Sequence, residues 1–324
     1  MIGVGSMGQN HARVLFNIDS VRLVAVADPD ARQAEKVAKK YNARWYTSYQ
    51  AMLDSEKLDA VTVAVPTKYH KDCALAVMEK KIPLLLEKPI ASTIAEAQEI
   101  IDYSRTHNVP LMIGHIERFN PAVIELKKRL EAGELGDIYK IEVQRIGPFP
   151  ERIADVGVTV DLSVHDIDII HYIMNSPISR IYAETQQKLH ATHEDSLIAV
   201  LTYANGVLGV INVNYLSPTK TRQISIFGKK GMFRVNYLTQ ELSFFENKSF
   251  AQNDWSSVSE GDVRMINIQK KEPLQLEIEY FLKNITTPAA LVTGEDGLYA
   301  LRVAHSILES ARTKQAVHEV ISHG

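Results

Sequence analysis

The feature that most constrains this chain is a glycine-rich stretch at its beginning, Gly3-Val4-Gly5-Ser6-Met7-Gly8. It follows the pattern G-x-G-x-x-G, which is typical of a tight turn between a strand and a helix whose N-terminus binds a pyrophosphate. A helical run at residues 9–16 and an apolar strand at 21–27 follow it, and Asp28 ends that strand. An acid about twenty residues after the turn is placed to bind ribose hydroxyls. The stretch therefore predicts a dinucleotide-binding Rossmann fold.

The acid at position 28 also bears on which dinucleotide is bound. A carboxylate favours NAD, because it would repel the 2′-phosphate of NADP. Arg32 in the next helix is able to reach such a phosphate, so NADP stays open.

Only Met1 and Ile2 precede the turn, so we expect a short first strand or one that begins upstream, and a short one would weaken cofactor binding. The cofactor-binding residues predicted from this motif are Gly3, Gly5, Ser6, Met7, Gly8 and Asp28.

Length and composition narrow the class of protein. A chain of 324 residues suggests about two domains, and 45% hydrophobic with 23% charged residues is normal for a globular protein. The net charge of -3 gives no general attraction to nucleic acid, and no apolar run approaches the ~20 residues of a membrane span. The single cysteine, Cys73, excludes an internal disulfide. With no signal-peptide pattern at the start, we expect a cytoplasmic protein without nucleic-acid or membrane partners.

The first third of the chain alternates apolar strands with helices. Continuous apolar runs at 59–65, 83–86 and 110–113 are separated by helical patterns at 71–80 and 94–107. Such repeats predict a parallel sheet covered on both faces, with ligands at the carboxyl ends of its strands. Residues at those ends are added to the predicted cofactor site, with helix capping as the alternative for the first histidine: Pro66, Thr67, His70, Glu87, Lys88 and His115.

The pattern changes after residue 118. Short runs that alternate apolar and polar residues, with a hairpin signal at Asn205-Gly206, predict a largely antiparallel sheet. We therefore predict an α/β protein with a doubly wound Rossmann domain at 1–118. An α+β domain with a large, open, mostly antiparallel sheet follows at 119–324. Because an open sheet leaves a bare face, burial by a second subunit is expected.

Three side chains have the chemistry of alcohol oxidation. Lys88 follows a predicted strand, where its ammonium can donate to a substrate hydroxyl and stabilise an alkoxide. Asp161 and His165 are four residues apart, on one face of a predicted helix. The imidazole can accept the hydroxyl proton while the carboxylate orients it. A divalent metal also suits this run, but hydride transfer to NAD needs none, so no metal is predicted. A plain polar helix face is the other alternative.

Further polar side chains are candidates for substrate binding. Arg118 and Asn120 follow the last Rossmann strand and are assigned to substrate or nicotinamide ribose, with capping and interdomain hydrogen bonds as an equal alternative. Arg145 and Arg152 flank Gly147-Pro148-Phe149-Pro150. Guanidinium groups bind phosphates well, whereas surface ion pairs are the equal alternative. This pair favours a phosphorylated or nucleotide-linked substrate.

Taken together, these motifs resemble the glucose–fructose oxidoreductase / inositol dehydrogenase / rhizopine catabolism (Gfo/Idh/MocA) family. The resemblance implies a tightly held NAD(P), a homodimer or homotetramer joined through the large sheets, and Lys88, Asp161 and His165 as the catalytic group. The sequence departs from the family in its short first strand and in residues 155–158, which lack a double glycine. The motifs that carry the resemblance are Gly3–Gly8, Pro66-Thr67-x-x-His70, Glu87-Lys88-Pro89, Gly114-His115, Arg118-Phe119-Asn120-Pro121 and Asp161-x-x-x-His165.

A finer resemblance concerns the substrate. Residues 147–150 with Arg152 and 155–157 are similar to the subgroup that oxidises carbon 3 of UDP-N-acetylglucosamine or its uronate. The sequence thus predicts an NAD(P)-dependent dehydrogenase that acts on a CH–OH group of a sugar or nucleotide sugar. A dehydrogenase of a free polyol such as inositol, a cofactor-binding regulator without catalysis, and a metal-dependent hydrolase are the alternatives.

Overall fold

The computed structural model describes residues 1–150, 156–174, 176–248, 260–286 and 291–318. Contacts between Cα atoms divide them into two units. The first unit contains residues 1–116 and the described parts of 272–301, and the second contains the described parts of 117–271 and residues 302–318. The proposed substrate ligand Arg152 lies outside the described residues. The domain boundary after residue 118 stays a prediction.

A parallel sheet forms the centre of the first unit. β1 pairs with β2, and β3, β4 and β5 pair in that order, every pair being parallel. Ile2 bridges Ala27 and Val63 in parallel and so joins the two groups of strands. Because β1, β3, β4 and β5 are buried throughout, they read as the continuous apolar runs seen in the sequence. The strands are β1 (Ala25–Ala27), β2 (Arg44–Tyr46), β3 (Val61–Val63), β4 (Leu84–Glu87) and β5 (Leu111–Gly114).

Local side-chain chemistry sets where several helices begin. Asp30 accepts hydrogen bonds from the amides of Arg32 and Gln33 and so caps α2. Thr93 and Glu96 form a reciprocal capping box at the start of α5. The described helices are α1 (Ser6–Asn17), α2 (Ala31–Tyr41), α3 (Tyr49–Ser55), α4 (His70–Glu79), α5 (Ile94–His107), α6 (Pro121–Glu131), α7 (Val164–Ile173), α8 (Pro273–Lys283) and α9 (Gly294–Thr313).

The second unit is built on an eight-stranded sheet in the order β13-β12-β11-β10-β6-β9-β8-β7. Its described strand pairs are antiparallel except for β6 with β9, which are parallel. Burial alternates along β8 and β9, which is the pattern that the sequence shows. The strands are β6 (Ile138–Pro148), β7 (Ile178–Gln186), β8 (Ser196–Tyr203), β9 (Leu208–Asn214), β10 (Leu216–Gly228), β11 (Gly231–Asn236), β12 (Glu241–Glu246) and β13 (Val263–Ile266).

The predicted fold class is confirmed: a Rossmann-like parallel sheet is followed by a large, mostly antiparallel one. The single helix predicted to carry Asp161 and His165 differs in detail, because a π-helical turn, Thr159–Ser163, leads directly into α7. Four of the described strands and helices have no counterpart among the elements predicted from the sequence: β2, β13, α3 and α8. β2 is three residues long and mostly exposed, so it lacks the apolar run that identifies the other parallel strands.

A buried pair of side chains links α1 to the end of β4. His11 Nε2 lies 2.8 Å from Glu87 Oε1, and both residues are buried. The other carboxylate oxygen of Glu87 accepts a hydrogen bond from the amide of Lys88 at 3.2 Å. Burial alone would raise the pKa of Glu87, but the hydrogen bond and charge of His11 outweigh it and hold that pKa below its ordinary value. Glu87 is therefore an ionised, fully engaged side chain directly before Lys88.

Replacing Glu87 with Gln tests this pair. A carboxyl whose pKa is lowered in the folded state stabilises the fold above its unfolded pKa of about 4.3, and this contribution disappears as pH falls through the lowered value. We expect Glu87→Gln to reduce the free energy of unfolding at pH 7 by about 1.5–3 kcal/mol, the range for a hydrogen bond to a charged group. The difference from the wild type should shrink below about pH 4.3 in urea titrations. A change of equal size at every pH, or one matched by Glu35→Gln on the exposed face of α2, would contradict the assignment.

Candidate active site

The glycine turn has the shape of a dinucleotide cradle. Gly3 has φ of 85°, and a Cβ there would lie 2.5 Å from the Ala64 carbonyl oxygen. A Cβ on Gly8 would lie 2.1 Å from the carbonyl oxygen of Gly3, so neither position tolerates a side chain. At Gly5, by contrast, a Cβ would meet none of the described atoms within 4 Å, and α1 begins at the next residue. The turn is thus tightly packed at Gly3 and Gly8 but open at Gly5, beside the N-terminus of α1. This opening fits a pyrophosphate.

Asp28 lies beside this turn at the end of β1. Its Oδ2 accepts a hydrogen bond from the Val4 amide at 2.8 Å, and its Oδ1 accepts one from the Asp30 amide at 3.0 Å. These bonds fix the carboxylate against the glycine turn, where the sequence motif requires an acid. The residues present therefore fit a dinucleotide, with the turn for its phosphates and Asp28 for a ribose.

The remaining predicted cofactor residues of the first unit follow the carboxyl ends of β3, β4 and β5. Thr67 is in a 3₁₀ turn after β3, and His115 is buried after β5. His70 starts α4 with Nδ1 2.8 Å from the Pro89 carbonyl oxygen and Nε2 2.9 Å from that of Val65. Burial lowers the pKa of His70. Its contacts connect the end of β3 to the segment that follows Lys88.

The predicted proton-transfer pair lies where two kinds of helix meet. Asp161 is in the π-helical turn and His165 is in the first turn of α7, and both are half-buried. The Tyr215 hydroxyl donates to Asp161 Oδ2 at 2.6 Å. π-helical turns inside helices occur frequently at functional sites. The structure thus puts an oriented carboxylate four residues before an imidazole in continuous helix. A proton-transfer role for this pair stays a prediction.

Two buried arginine–aspartate pairs fix α7 at Asp166 and Asp168, directly after His165. Arg145 on β6 donates to both oxygens of Asp166, at 2.7 and 3.0 Å, and to Glu117 at 3.1 Å. Arg118 donates to Asp168, with its shortest bond at 2.6 Å. Although burial opposes the charge, the carboxylates of Asp166 and Glu117 raise the pKa of Arg145 above its ordinary value. Both guanidinium groups therefore bind carboxylates in the interior of the second unit.

Asn120 is also used within its own unit. Its Oδ1 accepts from the amide of Ala122 at 3.1 Å and so caps α6, and its Nδ2 donates to the Tyr237 carbonyl oxygen at 3.1 Å. Direct substrate contact by Arg118, Asn120 or Arg145 stays a prediction, and the observed contacts give all three an internal role. The relation of Lys88 in the first unit to His165 in the second also stays a prediction.

The sequence analysis missed two side chains of this site. His11 occupies the buried face of α1 together with Gly8, Ala12, Val14 and Leu15. Its spacing from Gly8 along the helix is the signal that could have identified it. Tyr215 follows β9 and has no local motif, because only the fold brings it to Asp161.

The described residues contain no group of three or more histidine, cysteine, aspartate or glutamate side chains arranged to bind a metal ion. None of the helices described is both long and apolar enough to span a bilayer.

Comparison with known proteins identifies relatives along nearly the whole chain. The chain is 27% identical over 309 residues to the UDP-N-acetylglucosamine 3-dehydrogenase of Acidithiobacillus ferrooxidans, covering 95% of this chain and 94% of that protein. It is 31% identical over 264 residues to inositol 2-dehydrogenase 2 of Saccharopolyspora erythraea, covering 78% of each. A solved structure of the Acidithiobacillus enzyme superimposes with a TM-score of 0.84 at 25% identity, covering 96% of both chains.

Family models match both parts of the chain. Residues 1–115 match the NAD-binding Rossmann fold of the Gfo/Idh/MocA oxidoreductase family, and residues 127–318 match its C-terminal alpha/beta domain. The predictions of an enzyme and of NAD as its cofactor are confirmed. The chain belongs to the Gfo/Idh/MocA family of NAD-binding oxidoreductases.

Proposed function

We propose that this enzyme oxidises a hydroxyl of a sugar or nucleotide sugar, with carbon 3 of a UDP-N-acetylglucosamine-type substrate as the leading candidate. One observation carries the proposal: Asp161, held at 2.6 Å by the Tyr215 hydroxyl, precedes His165 on a helix that buried arginines fix. A pre-oriented carboxylate–imidazole pair is suited to removing a hydroxyl proton. The 27% identity to a UDP-N-acetylglucosamine 3-dehydrogenase supports the choice of substrate.

Each catalytic side chain has a distinct proposed role. His165 accepts the hydroxyl proton, and Asp161 orients the imidazole and stabilises its cation. Lys88 donates to the same hydroxyl oxygen and stabilises the developing alkoxide. The glycine turn and Asp28 would hold NAD, which would supply the acceptor for the hydride. The chain's contribution is therefore to hold the alcohol, remove its proton and stabilise the negative charge on its oxygen.

The cofactor is proposed to bind along the carboxyl ends of the parallel strands. The open side of the turn at Gly5 supports this placement of the phosphates, and the fixed carboxylate of Asp28 supports binding of a ribose. The proposed cofactor-binding residues are Gly3, Gly5, Ser6, Met7, Gly8, Asp28, Pro66, Thr67, His70, Glu87, Lys88 and His115.

A free polyol is the second candidate substrate. The 31% identity to an inositol 2-dehydrogenase supports it, and the same three catalytic side chains would serve. A ring polyol carries no phosphate, so the two candidates differ in whether the enzyme must bind an anion.

We also propose a cytoplasmic homodimer or homotetramer. One face of the eight-stranded sheet exposes apolar side chains at adjacent positions of β7, β8 and β9, including Tyr182, opposite Val200, and Ile198. Burying such a face requires a covering surface, and a second copy of the chain would supply one.

Replacing Lys88 with Met tests the proposed role of the ammonium. Removing a group that stabilises a developing oxyanion costs about 10²–10³ in turnover, so we expect a fall in kcat of that size. NAD affinity, measured by calorimetry, should stay near the wild-type value. Lys39→Met, which removes an exposed lysine of α2, is the matched control and should be silent. Normal turnover by Lys88→Met would refute the role.

Steady-state assays of the wild-type enzyme distinguish the two candidate substrates. We expect kcat/KM, measured from the absorbance of the reduced nicotinamide, to be higher for UDP-N-acetylglucosamine than for myo-inositol. The reason is that an enzyme that binds the diphosphate stabilises the transition state of the nucleotide sugar more. The opposite order would exclude the leading candidate in favour of the polyol.

A further inference from the structure

A second arginine, Arg222, lies beside the buried Arg145 but differs from it in its hydrogen-bond partners. Arg222 on β10 is directly opposite Arg145 on β6 in the antiparallel register. Residues opposite each other in such a pair project from the same face of the sheet. Arg222 therefore faces the side on which Arg145 binds the carboxylates of α7 and Glu117.

The two guanidinium groups differ in their partners. Arg145 directs Nε, Nη1 and Nη2 at carboxylate oxygens. The Arg222 side chain, although half-buried, makes no hydrogen bond and no ion pair with any residue that the structure describes. Burial and the adjacent charge of Arg145 lower the pKa of Arg222, while Glu117, Asp166 and Asp161 oppose that shift. An arginine nevertheless remains charged near neutral pH.

A partly buried cation without an anion is unfavourable, because its lost hydration is not replaced. The surrounding carboxylates are already engaged: Asp166 and Glu117 with Arg145, and Asp161 with the Tyr215 hydroxyl. The Tyr237 hydroxyl, buried in the same neighbourhood, also has no hydrogen-bond partner among the described residues. The surroundings of Arg222 thus contain hydrogen-bond donors, its guanidinium and the Tyr237 hydroxyl, that the described residues leave unused.

We propose that Arg222 is a substrate-binding residue whose guanidinium binds an oxyanion of the substrate. Its fork of donors matches the paired oxygens of a phosphate or a carboxylate. Tyr215, whose hydroxyl binds Asp161, follows Asn214, and Asn214 lies opposite Ile146 on β6, next to Arg145. The strand register therefore puts the oxyanion near the proposed proton-transfer pair. The ligand is then the diphosphate of a nucleotide sugar or the carboxylate of a sugar acid, and a neutral polyol lacks the group that Arg222 binds. This inference rests on the proposed function and defines the class of substrate.

Calorimetric titration of the NAD-saturated enzyme tests the proposal with UDP and with glucuronate as separate probes. We expect the wild type to bind at least one of them, and binding of UDP or of glucuronate identifies the source of the oxyanion. Arg222→Gln should weaken that binding at least about tenfold, which corresponds to 1.4 kcal/mol. Arg222→Lys, which keeps the charge but not the fork, should recover part of the affinity.

Arg234→Gln is the matched control, because Arg234 is an exposed arginine of β11 that lies over the Phe245 ring. It should bind the probes as the wild type does. Unchanged NAD affinity in Arg222→Gln verifies that the variant is folded. Equal binding of the probe by Arg222→Gln and the wild type, or no binding of either probe by the wild type, would overturn the proposal. Reduction of NAD with candidate sugars is measured separately, so a failure of the proposed reaction remains distinguishable from a failure of this site.

Discussion

The buried charge pairing between β6 and α7 is the interaction on which the second unit's site depends. Arg145, Asp166 and Glu117 are removed from water, so each charge is tolerated only while the others stay in place. Loss of one partner from such a group typically costs about 3–5 kcal/mol, because a buried charge is left uncompensated. The two hydrogen bonds from Arg145 to Asp166 also fix the relative orientation of these side chains. His165 directly precedes Asp166, so the pairing that holds α7 on the sheet also determines where the imidazole lies.

The first unit also contains a buried ionic contact, which joins two residues instead of three. His11 on α1 and Glu87 at the end of β4 are buried against each other, and the next residue after Glu87 is Lys88. α1 is also the helix whose N-terminus follows the glycine turn. One short contact therefore connects the helix proposed to bind the cofactor phosphates to the strand end that carries Lys88. In both units, the residue next to a proposed catalytic side chain makes a buried ionic contact. The backbone at that point is therefore held in place by a contact that does not involve the catalytic side chain.

Much of this organisation is visible in the sequence, and the exceptions have physical causes. The helix predicted at 94–107 agrees with α5 to the residue, because capping residues and periodicity are local signals. The family, the fold class and NAD follow from motifs of the same kind. Tertiary pairing is different. Nothing near Arg145 indicates that Asp166 is its partner, and nothing near Arg222 indicates that it lies opposite Arg145. The first relation arises from the packing of α7 on β6 and the second from the strand register between β6 and β10, and spacing along the chain encodes neither.

In the proposed reaction, hydride would pass directly from a sugar carbon to the nicotinamide while the chain removes the hydroxyl proton. The most direct measurement is mass analysis of the nicotinamide after reaction of UDP-N-acetylglucosamine deuterated at carbon 3. We expect the reduced cofactor to carry the deuterium, and its formation to be slower than with unlabelled substrate wherever chemistry limits the rate. Reduced cofactor without deuterium, or no reduction at all with this substrate, would contradict the account.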